Sequence, residues 1–274
     1  MRELERHFPD ASDLLAPLCL VGRGRMGSSL ARAAETAGLQ VVTAGRGEVV
    51  SRAANCRVAL LCVPDRAIGE ACRELASADP VPAAVGHVSG AGSLSLLDAA
   101  TARGAETFSV HPLQTVPDGH ASVAGAACAI AGSSESARRL AESLARTLGM
   151  RPFTVPEEHR GAYHAAAATA SNLLLALEES AAELLKAAGV DEDPRALLGP
   201  LVLRSAENWI ARGPDALTGP IARGDQPTVD AHRAAIAKLA PHLQPLYDVL
   251  ADRAREIASR TGTAPLPDVP VAAR

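Results

Sequence analysis

At 274 residues, with 47% hydrophobic and 21% charged side chains, the chain is about twice the usual single-domain size and has the composition of a folded protein, which excludes disorder as its main state. Lys and Arg number 27 against 31 Asp and Glu, without a block of like charge, so a nucleic-acid footprint is missing, and three Phe, two Tyr and one Trp leave little for base stacking. No apolar run reaches the ~18 residues of a spanning helix, and residues 1–17 carry acids where a signal peptide would be apolar, so a cytoplasmic protein without a membrane partner is expected. Cys19, Cys56, Cys62, Cys72 and Cys128 have no paired short spacing; they read as small buried apolar residues, with no metal site expected.

In chain order, residues 1–16 read as an N-terminal extension, and 17–155 as short β-branched apolar runs alternating with helical patterns. The runs at 18–21, 41–44, 58–63, 84–88, 108–110, 127–130 and 153–155 are continuous rather than alternating, as strands covered on both faces should be. Helical spacing fills 26–37, 66–75, 94–101 and 134–148. The fold class expected is therefore α/β, a doubly wound parallel Rossmann sheet followed by an all-helical C-terminal domain over 156–260. That domain opens with a long helix over 160–188 that Gly189 caps; Pro194 and Pro200 bracket the next element, 201–211 and 231–259 are further helices, and 261–274 read as a loose tail.

The first strand runs directly into Gly22-Arg23-Gly24-Arg25-Met26-Gly27 and a helix follows, the context in which this glycine pattern signals a dinucleotide site. Gly22 serves the tight turn, Gly24 the approach of backbone to diphosphate, and Gly27 the contact of helix with strand; the helix start, including Arg25 and Met26, offers N–H groups and positive dipole. About 20 residues on, Thr43-Ala44-Gly45-Arg46-Gly47 lacks the acid that an NAD enzyme uses on the ribose hydroxyls. Arg46, aided by Thr43 and with Arg23 as a further candidate, pairs instead with a 2′-phosphate, so NADP(H) is the cofactor expected.

Ligands on such a sheet gather at the carboxyl ends of the strands. Val63-Pro64-Asp65, His87-Val88-Ser89-Gly90 and His111-Pro112-Leu113-Gln114-Thr115 end three of them. Val63, Pro64, Asp65, Ser89 and Gly90 read as cofactor-binding, His87 as a core histidine, and His111 as functional. On the long helix His164, Ala168, Ser171 and Asn172 share one stripe at i, i+4, i+7 and i+8. Further on, Arg223 beside a helix start makes a carboxylate-binding corner with Asp225, Thr228 and His232.

Together these motifs resemble the bacterial Rossmann-like proteins of the 6-phosphogluconate dehydrogenase superfamily that carry a helical C-terminal domain, over residues 17–259. The superfamily includes pyrroline-5-carboxylate reductase and ketopantoate reductase, and some members with this architecture look like an unorthodox class of the latter. The resemblance implies an NADPH-dependent reductase of a small anionic 2-oxo acid, such as ketopantoate, working as a homodimer through the helical domain. An imine reductase resembling pyrroline-5-carboxylate reductase and a non-catalytic NADP-binding sensor are the alternatives. The superfamily's β-hydroxyacid dehydrogenases place a lysine four residues before the helix asparagine, where this chain has Ala168; Lys186 and Lys238 are its only lysines. His164 or His111 must then supply the proton, with Ser171 and Asn172 beside the reacting group and Arg223 on the carboxylate.

Overall fold

The computed structural model describes residues 15–261, so the expected N-terminal extension and C-terminal tail lie almost wholly outside the described residues. Seven strands, β1 (Leu18–Val21), β2 (Val41–Ala44), β3 (Val58–Leu61), β4 (Ala84–His87), β5 (Glu106–Pro112), β6 (Ala127–Gly132) and β7 (Arg151–Thr154), make one sheet in the order β2-β1-β3-β4-β5-β6-β7. Between them lie α1 (Arg25–Thr36), α2 (Val49–Ala53), α3 (Ile68–Ala76), α4 (Asp98–Thr101) and α5 (Glu135–Thr147). Alternate residues of β1 face opposite sides: Leu18 and Leu20 join the core of α1 and α5, whereas Cys19 and Val21 join that of α2, α3 and α4. Cover on both faces is why β1, β3 and β4 are apolar without alternation. This is a Rossmann fold, and all five cysteines are free and buried in it.

One pairing departs from parallel. β5 and β6 run antiparallel, from Phe108 opposite Gly132 to Pro112 opposite Cys128, because no helix joins them to carry the chain back across the sheet. β7, expected to be covered, is mostly exposed at the sheet edge. The third strand ends at Leu61 rather than residue 63, and α2 had no counterpart in the sequence reading.

The chain divides into two compact units between Ser171 and Asn172, which puts 156–171 with the sheet. The expected single helix over 160–188 is α6 (Arg160–Ala168), a π-helical turn (Thr169–Leu173) and α7 (Leu174–Ala187), closed by Gly189 at φ +86°. The second unit continues with α8 (Pro194–Arg212), α9 (Pro220–Arg223), α10 (Gln226–Leu239) and α11 (Gln244–Thr261). Pro200 lies inside α8 instead of bounding it. The pattern expected over 231–259 is split, since Pro241 has no N–H to continue the ladder and Ala240 before it leaves the helical region, at φ −149° and ψ 63°.

Candidate active site

The glycine loop meets its demands through atoms that can be named. Gly22 has φ +111°, and a Cβ there would fall 2.5 Å from the Cys62 carbonyl oxygen; one on Gly27 would fall 2.0 Å from the Gly22 oxygen. At Gly24, by contrast, a Cβ would meet nothing within 4 Å, so the backbone faces open space there. Gly24 caps α1 without a side-chain bond and the first turn holds no acid, which leaves orphan N–H groups directed outward. A cavity of about 390 Å³ opens beside the loop, lined by Gly22, Arg23, Gly27, Ser28, Arg32 and Thr43 with Gly119 and His120. These features fit a dinucleotide diphosphate. A second, more apolar cavity of about 400 Å³ lies at the other strand ends, near Val58, Ala84 and Glu106, away from this chemistry.

The loop after β5 reaches back to this helix. Arg25 Nη1 donates to the Pro117 carbonyl at 3.5 Å, Arg32 contacts His120, and Gly119 sits so close to Ser28 that a Cβ would come within 2.9 Å. At the end of β2, Arg46 is exposed at the tip of a turn and makes no hydrogen bond or ion pair among the described residues. A carboxylate lies beside it, one residue beyond the acid-free stretch Thr43 to Gly47. Glu48 folds back so that its Oε2 accepts the Gly45 N–H at 2.9 Å and pairs with Arg23 at 2.7 Å, while Arg23 also donates to the Thr43 carbonyl at 3.3 Å. Glu48 lies four residues past the strand, beyond the position where spacing alone places the ribose acid.

Parallel register sets Val21 beside Leu61, Leu61 beside His87 and His87 beside Ser109, so the carboxyl ends of β1, β3, β4 and β5 share one rim. From the glycine loop to His111 this rim crosses three strand spacings, roughly 14 Å. Val63 and Pro64 follow β3 there, and Asp65 opens a 3-10 turn. His87 is a core histidine, fully buried, accepting from the Ser89 N–H at 3.2 Å and lying 3.3 Å from the Ser93 oxygen.

His111 extends past the paired end of β4, and its Nδ1 lies 2.6 Å from the Tyr163 hydroxyl on α6. The His164 ring is 6.0 Å from it, centroid to centroid. Gly90 lies against both imidazoles: a Cβ would come within 2.7 Å of His111 Cε1 and of His164 Nδ1, so only glycine lets the loop pass. Beneath them Arg160 is 3% exposed; its Nη2 donates to the Ser89 carbonyl at 3.0 Å and its Nη1 to the Ser109 hydroxyl at 3.2 Å, and Glu157 lies 3.7 Å away. Its Nε is buried without a partner among the described residues.

Burial, aided by the nearby His164 and Arg160 charges, pushes His111 down to about 4, and burial pushes Tyr163 up to about 12. Near neutrality the pair is thus an uncharged imidazole and an intact phenol beside a fixed guanidinium. The structure brings together His111, His164, Ser89 and Gly90 of the expected residues, and adds Tyr163 and Arg160.

The remaining expected residues have local partners or roles of their own. Ser171 donates to the Ala167 carbonyl at 2.7 Å, and the π turn breaks the i+7, i+8 arithmetic that put it and Asn172 on the His164 stripe. Asn172 belongs to the second unit. So do Arg223, which ends α9, and Asp225, whose carboxylate caps α10 by accepting the Thr228 N–H at 3.2 Å and hydroxyl at 2.7 Å. The helix start expected to bind a ligand carboxylate is therefore occupied by the protein's own. His232 Nδ1 lies 2.9 Å from the Tyr247 hydroxyl, so both tyrosines of the chain are paired to histidine.

The architecture defines a class: a Rossmann sheet followed by a helical region. Residues 126–254 match a family described as a domain of unknown function, DUF2520. The fold is similar to a Bacteroides fragilis protein carrying the provisional description NADP oxidoreductase (20% identity, TM-score 0.74, covering 90% of this chain and 100% of that one). It is also similar to a protein from Thermotoga maritima (25%, 0.70, 89% and 99%) and to a reductive aminase from Aspergillus terreus solved with NADPH and ethyl levulinate (18%, 0.64, 90% and 95%). No curated protein matches the chain.

Proposed function

We propose that the protein is an NADPH-dependent oxidoreductase that reduces a small 2-oxo acid of the ketopantoate kind to the hydroxy acid. The observation that carries this reading is the Tyr163 hydroxyl, 2.6 Å from His111 on the rim that also carries the glycine loop. The similar folds of an NADP oxidoreductase and an NADPH-bound reductive aminase support it.

Gly22, Gly24, Gly27 and the start of α1 would hold the diphosphate, with Arg25 and Met26 in that first turn, and Arg46, Thr43 and Arg23 would take the 2′-phosphate. Val63, Pro64, Asp65, Ser89 and Gly90 would border the rest of the cofactor. NADPH, when bound, supplies a hydride to the carbonyl carbon. The chain supplies the proton that the carbonyl oxygen then needs. Tyr163 gives it from its hydroxyl; His111, as the Nδ1–H tautomer, restores it and is reprotonated through Nε2 from solvent. His164, beside His111, offers the second donor to the same oxygen. Arg160 gives the rim a fixed positive field, which favours a developing alkoxide and disfavours an iminium cation. This is why carbonyl reduction is preferred to the imine chemistry of the reductive aminase. We also assign the protein to the cytoplasm, a reducing compartment suited to five free thiols. Among the described residues no helix is long and apolar enough to cross a membrane.

Oxidation of NADPH is to be followed against ketopantoate, other branched 2-oxo acids and cyclic imines. Turnover of oxo acids and not imines is expected; the reverse would transfer the protein to imine reduction, and tight NADPH binding without turnover would make it a sensor. Arg46→Ala should remove most of a preference for NADPH over NADH of about tenfold, the worth of one charge-assisted contact.

A further inference from the structure

The corner that would receive the 2′-phosphate contains a charge of the wrong sign. We propose that Glu48 is a specificity-determining residue that opposes the 2′-phosphate, holds the preference for NADPH to a modest value and lets NADH bind the same site. This rests on the dinucleotide reading above and refines it.

Glu48 is anchored twice within its own turn: its N–H donates to the Gly45 carbonyl at 3.2 Å, and its Oε2 accepts the Gly45 N–H at 2.9 Å. Gly47 permits this turn with φ +78°. The carboxylate is thereby fixed over the end of β2, where a dinucleotide fold places the acid that accepts from ribose hydroxyls. The Gly45 N–H, above all, and the Arg23 guanidinium hold it below the usual carboxylate range, so it is charged whenever cofactor binds. Arg23 lies flat across the same place: its Nη1 would be 3.0 Å from a Cβ on Gly45, and its Nη2 bridges Glu48 and the Thr43 carbonyl.

Each cofactor then finds one half of the site suited to it. An unphosphorylated ribose finds an acceptor in Glu48. A 2′-phosphate finds Arg46 unengaged, but must draw Arg23 from its carboxylate and then sit beside that carboxylate. Half-exposed pairs are weak, so Arg23 can be drawn away, and the residual repulsion of like charges is what discriminates. The corner is a compromise between two ligands, with Glu48 as its acidic half.

The test is fluorescence titration of the full chain with NADPH and with NADH, in wild type, Glu48→Gln and Arg23→Leu. Glutamine keeps an oxygen for the Gly45 N–H, so the turn survives while the charge goes. Glu48→Gln is expected to raise the NADPH-to-NADH affinity ratio about tenfold, by tightening NADPH and weakening NADH, and Arg23→Leu to lower it. Adenosine 2′,5′-bisphosphate, displacing NADPH, should gain affinity in Glu48→Gln to a similar degree; 5′-AMP should not. An unchanged ratio in Glu48→Gln, with the wild type still binding either cofactor, would overturn this inference and leave the dinucleotide site standing. Failure of the wild type to bind both would overturn the two together. Should Glu48→Gln fail to fold, the ratio in Glu48→Asp decides: withdrawal of the carboxylate must raise it, and an unchanged ratio counts against Glu48.

Discussion

Tyr163 is one of only two tyrosines in the chain, and its buried environment suits the proton-donor role proposed for it. Burial keeps its proton on, and His111, itself too buried to carry a charge near neutrality, is the group proposed to replace that proton. Tyr163→Phe is therefore expected to lower turnover about 10²-fold while NADPH affinity changes less than about threefold, read by steady-state kinetics beside cofactor titration. An unaltered kcat would remove the phenol from the mechanism. The same burial has a consequence for stability. His87 and His111 are both pushed down to about 4, so between that value and the ordinary 6.5 the unfolded chain binds protons that the folded chain refuses. Stability must accordingly rise with pH across this window, be complete above it, and fade on acidification, with His87 contributing up to ~3 kcal/mol. Urea unfolding at pH 7 and pH 5 should show the loss, and His87→Asn should reduce it to the part that His111 contributes; equal midpoints at the two pH values for the wild type would contradict the assignment.

Among the elements, those that bury both faces or one whole stripe were legible: β1 matches the expected bounds to the residue because a covered strand is a continuous apolar run, and β2, half-buried at the sheet edge, matches them through its β-branched run. Elements set by a few local atoms were not. α2 is five residues long and carries no period, the π turn at Thr169–Leu173 has no sequence mark, and the antiparallel return of β6 depends on what joins it to β5 rather than on its own composition. The site divides in the same way. Its glycines were legible because backbone approach admits no other residue, and His111 because Pro112 holds it extended at a strand end. Arg160 and Glu48 were hidden, since each acts by folding back onto atoms that spacing alone does not bring near. Arg160 joins three elements, tying the loop after β4 to β5 and to α6 through Ser89 and Ser109. Arg160→Met removes that tie and leaves the Ser89 carbonyl short of a donor, so a loss of about 2 kcal/mol is expected by urea unfolding with an unchanged slope. A loss under ~0.5 kcal/mol would mean that packing, not the guanidinium, holds the loop.

At the scale of the whole molecule the two units differ in how well each covers its own apolar surface. The sheet unit has two well-filled cores, whereas beyond Asn172 only Val229, Ile236, Ala240 and Ala251 are buried hydrophobics among the described residues. In that same stretch Leu175 is 65% exposed, Leu203 68%, Trp209 66% and Ile210 75%. α7 packs on α8 and α10, and α9 on α10 and α11, yet the outer faces of α7 and α8 have no cover among the described residues. Scattered leucines on a surface need no explanation, but large apolar side chains repeated along two adjoining helices do, because a monomer seldom leaves so much of one surface open to water. The occupant we propose is a second copy of the chain: the face is largely apolar, its Arg204–Glu207 pair already internally matched, and a two-fold interface lets one surface cover itself. A homodimer through α7 and α8 is thus expected, observed by light scattering at micromolar concentration, with Leu203→Glu and Ile210→Glu each shifting the mass toward the monomer and lowering thermal stability as the surface is uncovered. A wild-type monomer at that concentration would refute the self-association. A dimer indifferent to both charges would move the interface to another face.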